Sequence, residues 1–280
     1  MPELPEVETV RRGLAERVIG DRIESVWLGN KPQTFQSKPQ EIARALEGAR
    51  IIGVRRMGKH IVICLAPPDV PSRRAPDIAA AGTADQCIVH LGMTGALQVT
   101  AAGAEVLKHT HLVLRLASGR EVRFVDPRRF GRIRVSHGFD VEGREPLETD
   151  FAEFAALFRK RKTPIKSALL NQKLLRGLGN IYADESLFRA GIRPRRRAAS
   201  LRQEELRRLW AAIRRVLRQA IAAGGSSISD YFDVEGEPGL FQTQHRVYGR
   251  AERPCVTCGT PIKRIVLAGR SSHYCPMCQK

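Results

Sequence analysis

The stretch Arg50-Ile51-Ile52-Gly53-Val54-Arg55-Arg56-Met57-Gly58-Lys59-His60-Ile61-Val62-Ile63-Cys64-Leu65 carries two runs rich in β-branched residues on either side of a glycine. Arg50–Met57 and Ile61–Leu65 therefore read as strands, with Gly58 as a turn signal between them. The same kind of run recurs outward in both directions. It is found at Arg22–Leu28 before this stretch, and at Cys87–Leu91, Ala96–Val99, His111–Leu116, Val122–Val125 and Arg132–Val135 after it. Gly, Asn-Lys-Pro and Ser-Gly signals bound several of these runs. Between two strands, Pro67 to Asp85 is rich in Pro, Ala and Gly and is expected to be a long loop.

Helices frame this strand-rich half and fill the other. Val7, Val10, Leu14 and Val18 recur at spacings of three and four, which predicts an amphipathic helix over residues 5–19. Pro5 suits its first turn and Gly20 its end. A short helix is expected at Pro39–Leu46. Phe151–Arg161, Pro164–Asn171 and Asn180–Ala190 read as helices, followed by a longer one over Gln203–Ala222. Its apolar face carries Leu206, Leu209, Ile213, Val216, Leu217 and Ile221, and Gly224 and Gly225 end it. The stretch 138–150 between the two halves reads as a linker. No internal repeat is present.

Charge narrows the class of partner. Lys and Arg outnumber Asp and Glu by 47 to 29 over 280 residues, giving a formal net charge of +18. A surplus of that size points to a polyanion, nucleic acid first, against the plainer reading of a solvated basic surface. No apolar run approaches the ~18 residues of a membrane span. The first residues lack the basic and apolar regions of a signal peptide.

Four of the six cysteines lie close together at the carboxyl end: Cys255, Cys258, Cys275 and Cys278 form C-x2-C-x16-C-x2-C. Each C-x2-C places two thiolates on one tight knuckle, and the spacer suits a hairpin that brings the knuckles together around one structural Zn2+. Two disulfides or free thiols are the alternative, disfavoured by a reducing cytoplasm. Four protein ligands leave no open position for catalysis. Cys64 and Cys87 lie in strand-like runs and read as core residues.

The amino end is unusual. Removal of Met1 exposes Pro2 as a secondary amine, and a terminal amine titrates near ~8, far below lysine. Such an amine can attack a sugar C1′ and form an iminium directly. The helix that follows favours ionised Glu3 and Glu6. The competing reading is that Pro2 and Pro5 merely start a helix.

Here a resemblance becomes specific. Pro2-Glu3-Leu4-Pro5-Glu6-Val7-Glu8, His90-Leu91-Gly92-Met93-Thr94-Gly95, Asp126-Pro127-Arg128-Arg129-Phe130-Gly131, Gly179-Asn180-Ile181-Tyr182-Ala183 and Val247-Tyr248-Gly249-Arg250 occur in this order, followed by the cysteine motif. Together they resemble the formamidopyrimidine-DNA glycosylases. The related endonuclease VIII branch usually has Gly where this chain has Leu4.

The resemblance implies an α+β protein: an N-terminal β-sandwich flanked by helices over 1–137, a linker over 138–150, a helical DNA-binding domain with a helix–two-turns–helix element over 151–242, and a zinc ribbon over 243–280. It implies Pro2 as the Schiff-base nucleophile, Glu3 as general acid/base and Lys59 at the lesion-side phosphate, with Glu6 and Glu185 as supporting carboxylates. His90, Met93, Arg128, Phe130, Lys166, Asn180 and Arg270 are expected at the DNA. Met93, Arg128 and Phe130 would fill the gap left by a flipped base. Gly224–Phe241 resembles the loop that closes over that base. His109 and His111 have no evident metal partner and read as structural or substrate-adjacent.

The stretch 67–85 is longer than the family connection, and Gln242–Arg246 is more basic. The expected activity is removal of oxidised purines from double-stranded DNA followed by β,δ-elimination at the abasic site. The expected setting is a monomer in the bacterial cytoplasm, associated with the nucleoid and not with membranes. The rivals are an endonuclease VIII-like enzyme acting on oxidised pyrimidines and a catalytically silent zinc-ribbon DNA-binding protein.

Overall fold

The structure is a computed structural model that describes residues 1–67, 85–228 and 231–280. The loop expected over 67–85 therefore falls, from 68 to 84, outside the described residues. The chain forms two units, Met1–Asp140 with Gly224–Gly239, and Val141–Ala223 with Leu240–Lys280.

In the first unit eight strands build two four-stranded antiparallel sheets. One runs β1 (Ile23–Leu28), β6 (Thr110–Leu116), β7 (Arg120–Val125), β5 (Ala96–Ala101). The other runs β2 (Arg50–Met57), β3 (His60–Ala66), β4 (Asp85–His90), β8 (Arg132–His137). Alternation decides which residues face inward. Ile61, Ile63, Leu65, Val89 and Ile133 join Leu112, Leu114, Leu116, Val122 and Phe124 in one core, which makes the pair a sandwich. The intervening Val62, Cys64 and Ile88 form a smaller cluster with Phe139 on the other face of the second sheet. Burial on both faces explains why β3 reads as an unbroken apolar run.

Two helices seal the sandwich. α1 (Leu4–Val18) buries Leu4, Val7, Val10, Leu14 and Val18 against β2, β3 and β5. α2 (Pro39–Leu46) buries Ile42 and Leu46 against β1, β4 and β8. Segment 224–239, expected with the helical half, belongs to this unit instead. Val234 packs on Gly13 of α1, its carbonyl accepts the Val99 N–H at 3.1 Å, and Tyr231 and Val234 enter the sandwich core.

The second unit packs α3 (Phe151–Phe158) and α5 (Asn180–Ala190) on α6 (Gln203–Ala222), with α4 (Ile165–Leu169) on α5. α3 stops short of the expected Arg161, because Arg159 leaves the helical region and Lys160 takes φ 62°. The stretch expected as a linker is largely docked here. Glu145 and Thr149 are buried, Glu145 pairs with Arg176, and Arg144 bridges to Leu175. The hairpin β9 (Lys263–Leu267) and β10 (Arg270–Tyr274) completes the unit, and a small core of Phe188, Val247, Cys255, Ile262 and Cys275 binds the cysteine region to α5. No helix among the described residues is long and apolar enough to cross a membrane.

Candidate active site and nucleic-acid interface

In the first unit Pro2, Glu3 and Glu6 are all buried at the head of α1. Glu3 is the N-cap, and its backbone N–H donates to Glu6 Oε2 at 2.8 Å. Glu6 Oε1 accepts the Ser226 N–H at 2.8 Å, and the Tyr231 hydroxyl donates to the Glu6 carbonyl at 3.3 Å. Gly225 has φ 86°, and a Cβ there would come within 2.9 Å of Glu6 Oε1, so glycine is required. Burial, with Glu6 nearby, pushes the Tyr231 phenol above its usual range and keeps it a neutral donor.

Lys59 follows Gly58 in the β2–β3 turn and is largely buried. Arg56 fixes this turn. Its guanidinium meets Glu8 Oε2 on α1 at 3.1 Å and donates to the Gly58 carbonyl at 3.1 Å. Burial opposes ionisation of Glu8, but Arg11, Arg12 and Arg56 outweigh it and hold the carboxyl below its ordinary range.

The two loops carrying the expected wedge are knit together by Asp126. Its Oδ2 accepts the Gly131 N–H at 2.7 Å, and its Oδ1 accepts the Thr94 hydroxyl at 2.5 Å. Gly92 lies against the Phe130–Gly131 backbone so closely that a Cβ would meet it at 2.4 Å. Met93 and Phe130 are 40% and 46% exposed, so neither belongs to the core. The exposed Arg128 guanidinium sits 5.0 Å from the Phe130 ring centre. His90 Nδ1 accepts the Gly92 N–H at 3.1 Å, while burial and the nearby His60 push the imidazole down to about 4. His111 is structural, with Nε2 3.0 Å from the Asp126 carbonyl. Asp126 begins the Asp126–Gly131 motif, yet its clasp joins loops far apart in sequence and leaves no local signal.

In the second unit the expectation for Lys166 is corrected. The residue is 1% exposed; its ammonium pairs with Asp184 at 2.7 Å and donates to the Ser271 carbonyl at 2.6 Å. A charge at that depth is kept by its partner, not offered to DNA. Asp184 Oδ2 also accepts the His273 N–H at 2.8 Å, and the half-buried Asn180 donates to the Ser271 hydroxyl at 3.3 Å. This network ties the start of α5 to the hairpin carrying the exposed Arg270. Glu185 is likewise internal. Its Oε1 accepts the N–H groups of Arg246, Val247 and Tyr248 at 2.9, 2.9 and 3.0 Å, and Oε2 pairs with Arg189 at 2.6 Å.

The four cysteine sulfurs lie within 4.8 Å of one another. Cys255–Cys278 and Cys258–Cys275 are 3.8 and 3.5 Å apart, close to the ~3.8 Å edge of a tetrahedron with zinc–sulfur bonds of ~2.3 Å. The Thr257 and Cys278 N–H groups donate to Cys255 and Cys275 sulfurs at 3.4 Å. Hydrogen bonding from Thr260 pushes Cys258 down to about 6, while burial and the neighbouring thiols push Cys278 up. Thiolates crowded this closely need a cation between them, and the donor set fits one structural Zn2+.

Comparison with known proteins agrees along the whole chain. Residues 1–133 match the formamidopyrimidine-DNA glycosylase N-terminal domain, 143–231 the H2TH domain of the same proteins, and 253–280 the zinc finger found in FPG and IleRS. A formamidopyrimidine-DNA glycosylase of Solibacter usitatus is 46% identical over 284 residues, covering 100% of both chains. The crystal structure of the MutM (Fpg) protein of Thermus thermophilus is similar with a TM-score of 0.83 and 41% identity, covering 99% of this chain and 98% of that one. Lactococcus lactis Fpg in complex with abasic-site DNA aligns with a TM-score of 0.86 and 33% identity over 99% of each. With three successive family domains matched and relatives aligned from end to end, the chain belongs to the formamidopyrimidine-DNA glycosylase family.

Proposed function

We propose that this base-excision-repair glycosylase removes oxidised purines, 8-oxoguanine and formamidopyrimidines, from duplex DNA and then cuts the abasic strand, with Pro2 as nucleophile. The observation that carries the reading is the buried group at the head of α1. Pro2, Glu3 and Glu6 are all buried there, and the Glu6 carboxylate is held by the backbone N–H groups of Glu3 and Ser226.

The chemistry follows from these groups. Attack by the Pro2 nitrogen forms a bond to C1′ as the glycosidic bond breaks, and its electron pair leaves with the base. Loss of the amine proton and opening of the sugar ring give an iminium. That cation acidifies the C2′ hydrogen, so removing it expels the 3′ phosphate; a second elimination expels the 5′ phosphate. Glu3 moves the protons at the sugar. Lys59 meets the adjacent phosphate, and Glu6 holds Ser226 and Tyr231 against α1. Met93, Arg128 and Phe130 occupy the stack vacated by the flipped base. His90, Asn180 and Arg270 touch the DNA backbone, while Lys166 and Glu185 position their elements from inside.

In the same reading residues 1–140 with 224–239 form the catalytic domain, 141–223 and 240–280 hold the duplex, and the enzyme works as a monomer in the bacterial cytoplasm at the nucleoid. The Lactococcus relative bound to abasic-site DNA supports the substrate class. Borohydride added during turnover of an 8-oxoguanine duplex tests the proposal. One covalent protein–DNA adduct is expected, carried on Pro2. Turnover without any trapped adduct would overturn it.

A further inference from the structure

The outer face of the second sheet carries a row of basic side chains. Strand register sets His60 beside His90 and His90 beside Arg132; two residues along, Val62 pairs with Ile88 and Ile88 with Arg134. Side chains two apart share a face. Val62 and Ile88 lie in the outer cluster with Phe139, so the row points away from the sandwich core. Gln36, His60, Ile88, His90, Arg132 and Arg134 line a pocket of about 350 Å³.

Packing holds the row in place. The His60 and His90 ring centres are 4.9 Å apart, His60 meets Phe139 edge-on at 5.2 Å, and the Arg134 guanidinium lies 4.7 Å over the Phe139 ring. Arg132 Nη1 donates to the Arg129 and Gly131 carbonyls at 2.9 and 2.7 Å. Among the described residues neither Arg132 nor Arg134 has a carboxylate partner, so both positive charges stand uncompensated at the pocket. Burial keeps both imidazoles neutral at pH 7. Because His90 Nδ1 accepts a hydrogen bond, its ring proton lies on Nε2, where it can donate.

Two guanidiniums and the neutral His90 N–H, with no acid among them, make a site for a phosphate group. We propose that this pocket binds a backbone phosphate of the duplex beside the lesion, with His60, Arg132 and Arg134 joining His90. The location selects DNA over a free anion. His90 stands three residues before Met93 and Arg132 two after Phe130, so the pocket adjoins the two loops that carry the wedge. The inference rests on the DNA-binding reading above and adds to it a contact separate from Lys59 and Arg270.

The test is duplex affinity of the full-length protein between 50 and 200 mM salt, a range chosen because phosphate contacts dominate its slope. Arg134→Gln should weaken binding to undamaged and 8-oxoguanine duplexes by the same factor. It should also flatten the log–log salt slope by about 0.9, one phosphate's share. Arg134→Lys should recover most of that slope. Arg132→Gln serves as a second variant should loss of the Arg134–Phe139 contact lower the melting temperature. Inorganic phosphate, followed through the His60 and His90 ring signals by NMR, provides the free-anion arm. Unchanged slopes in both folded variants would overturn the proposal, as would ring signals that respond to phosphate while DNA affinity does not change. Borohydride trapping by the parent protein reports on the catalytic reading independently, so the two failures are distinguishable.

Discussion

Glu6 Oε1 accepts the backbone N–H of Ser226 at 2.8 Å, joining the first turn of α1 to a segment 220 residues away. The other carboxylate oxygen holds the Glu3 N–H, so one side chain fixes both the N-cap and the returning loop. Glu6→Gln keeps the shape but turns one of these acceptors into an amide donor. An unmet buried N–H costs about 1–3 kcal/mol. Hydrogen exchange at the Glu3 or Ser226 amide should therefore speed up at least ~10-fold, the equivalent of about 1.4 kcal/mol. Exchange unchanged at both amides would mean the loop is held by Tyr231 and Val234 alone.

The nucleophile requires a free terminal amine. Mature active protein should begin at Pro2 by mass spectrometry, and Pro2→Gly should lose normal lyase turnover and most trapping, a primary amine leaving at most weak activity. Fully active protein that retains Met1 would contradict the assignment.

The zinc site is expected to act on shape, not chemistry. Cys258→Ser should lose zinc and weaken duplex binding while the sandwich stays folded, because the sandwich core contains no residue of the cysteine cluster. The packing of Cys255 and Cys275 on Phe188 adds a second expectation, loosening of α5 seen as faster exchange near Phe188. Unchanged metal content and affinity would assign the cysteines another role.

Acid should destabilise the first unit. The His90 imidazole sits at about 4 in the folded chain against an ordinary 6.5, and His60 is lowered too. The unfolded chain therefore binds protons that the folded chain refuses as pH falls from about 6.5 towards 4. Stability falls over that window and stays level above it, by up to about 1.4 kcal/mol per pH unit for such a histidine. His90→Gln should flatten the decline of melting temperature between pH 6.5 and 4.5. An unaltered decline would place the titrating groups elsewhere.

The extent to which the sequence foretold these features follows the range of the forces involved. α2, β2, α5 and α6 have the limits expected from periodicity and end signals, since caps and apolar stripes act within a few residues. β5 and β7 run past their expected ends because Thr100 and Ala101 find partners in Glu121 and Arg120, a pairing absent from either run alone. The cysteine tetrad is legible in its spacing, whereas the burial of Pro2, Glu3 and Glu6 depends on a segment that returns from 220 residues away. Lys166 was misjudged because its partner Asp184 lies on another helix, and a lysine's burial depends on such a partner. The cluster of His60, Arg132 and Arg134 leaves no local signal for the same reason, as only strand register sets them side by side.

The wedge gives the sharpest division between structure and function. Met93 and Phe130 are 40% and 46% exposed, and their loops are held from below by Asp126 and the close approach of Gly92 to Gly131. Truncating the tips should therefore leave the support intact. Phe130→Ala is expected to keep the melting temperature within a few degrees of the parent, where a buried phenylalanine would cost about 3–5 kcal/mol. Base excision from an 8-oxoguanine·cytosine duplex should fall at least ~10-fold, about 1.4 kcal/mol in the barrier, because the ring that supports the unstacked step is lost. Cleavage of an abasic single strand, which needs no flipping, should fall much less. Arg128→Ala should in addition weaken the preference for cytosine opposite the lesion if, as proposed, the guanidinium beside Phe130 bonds that base. A large loss of melting temperature, with residual activity tracking the folded fraction, would return these side chains to the core and remove the wedge from the mechanism.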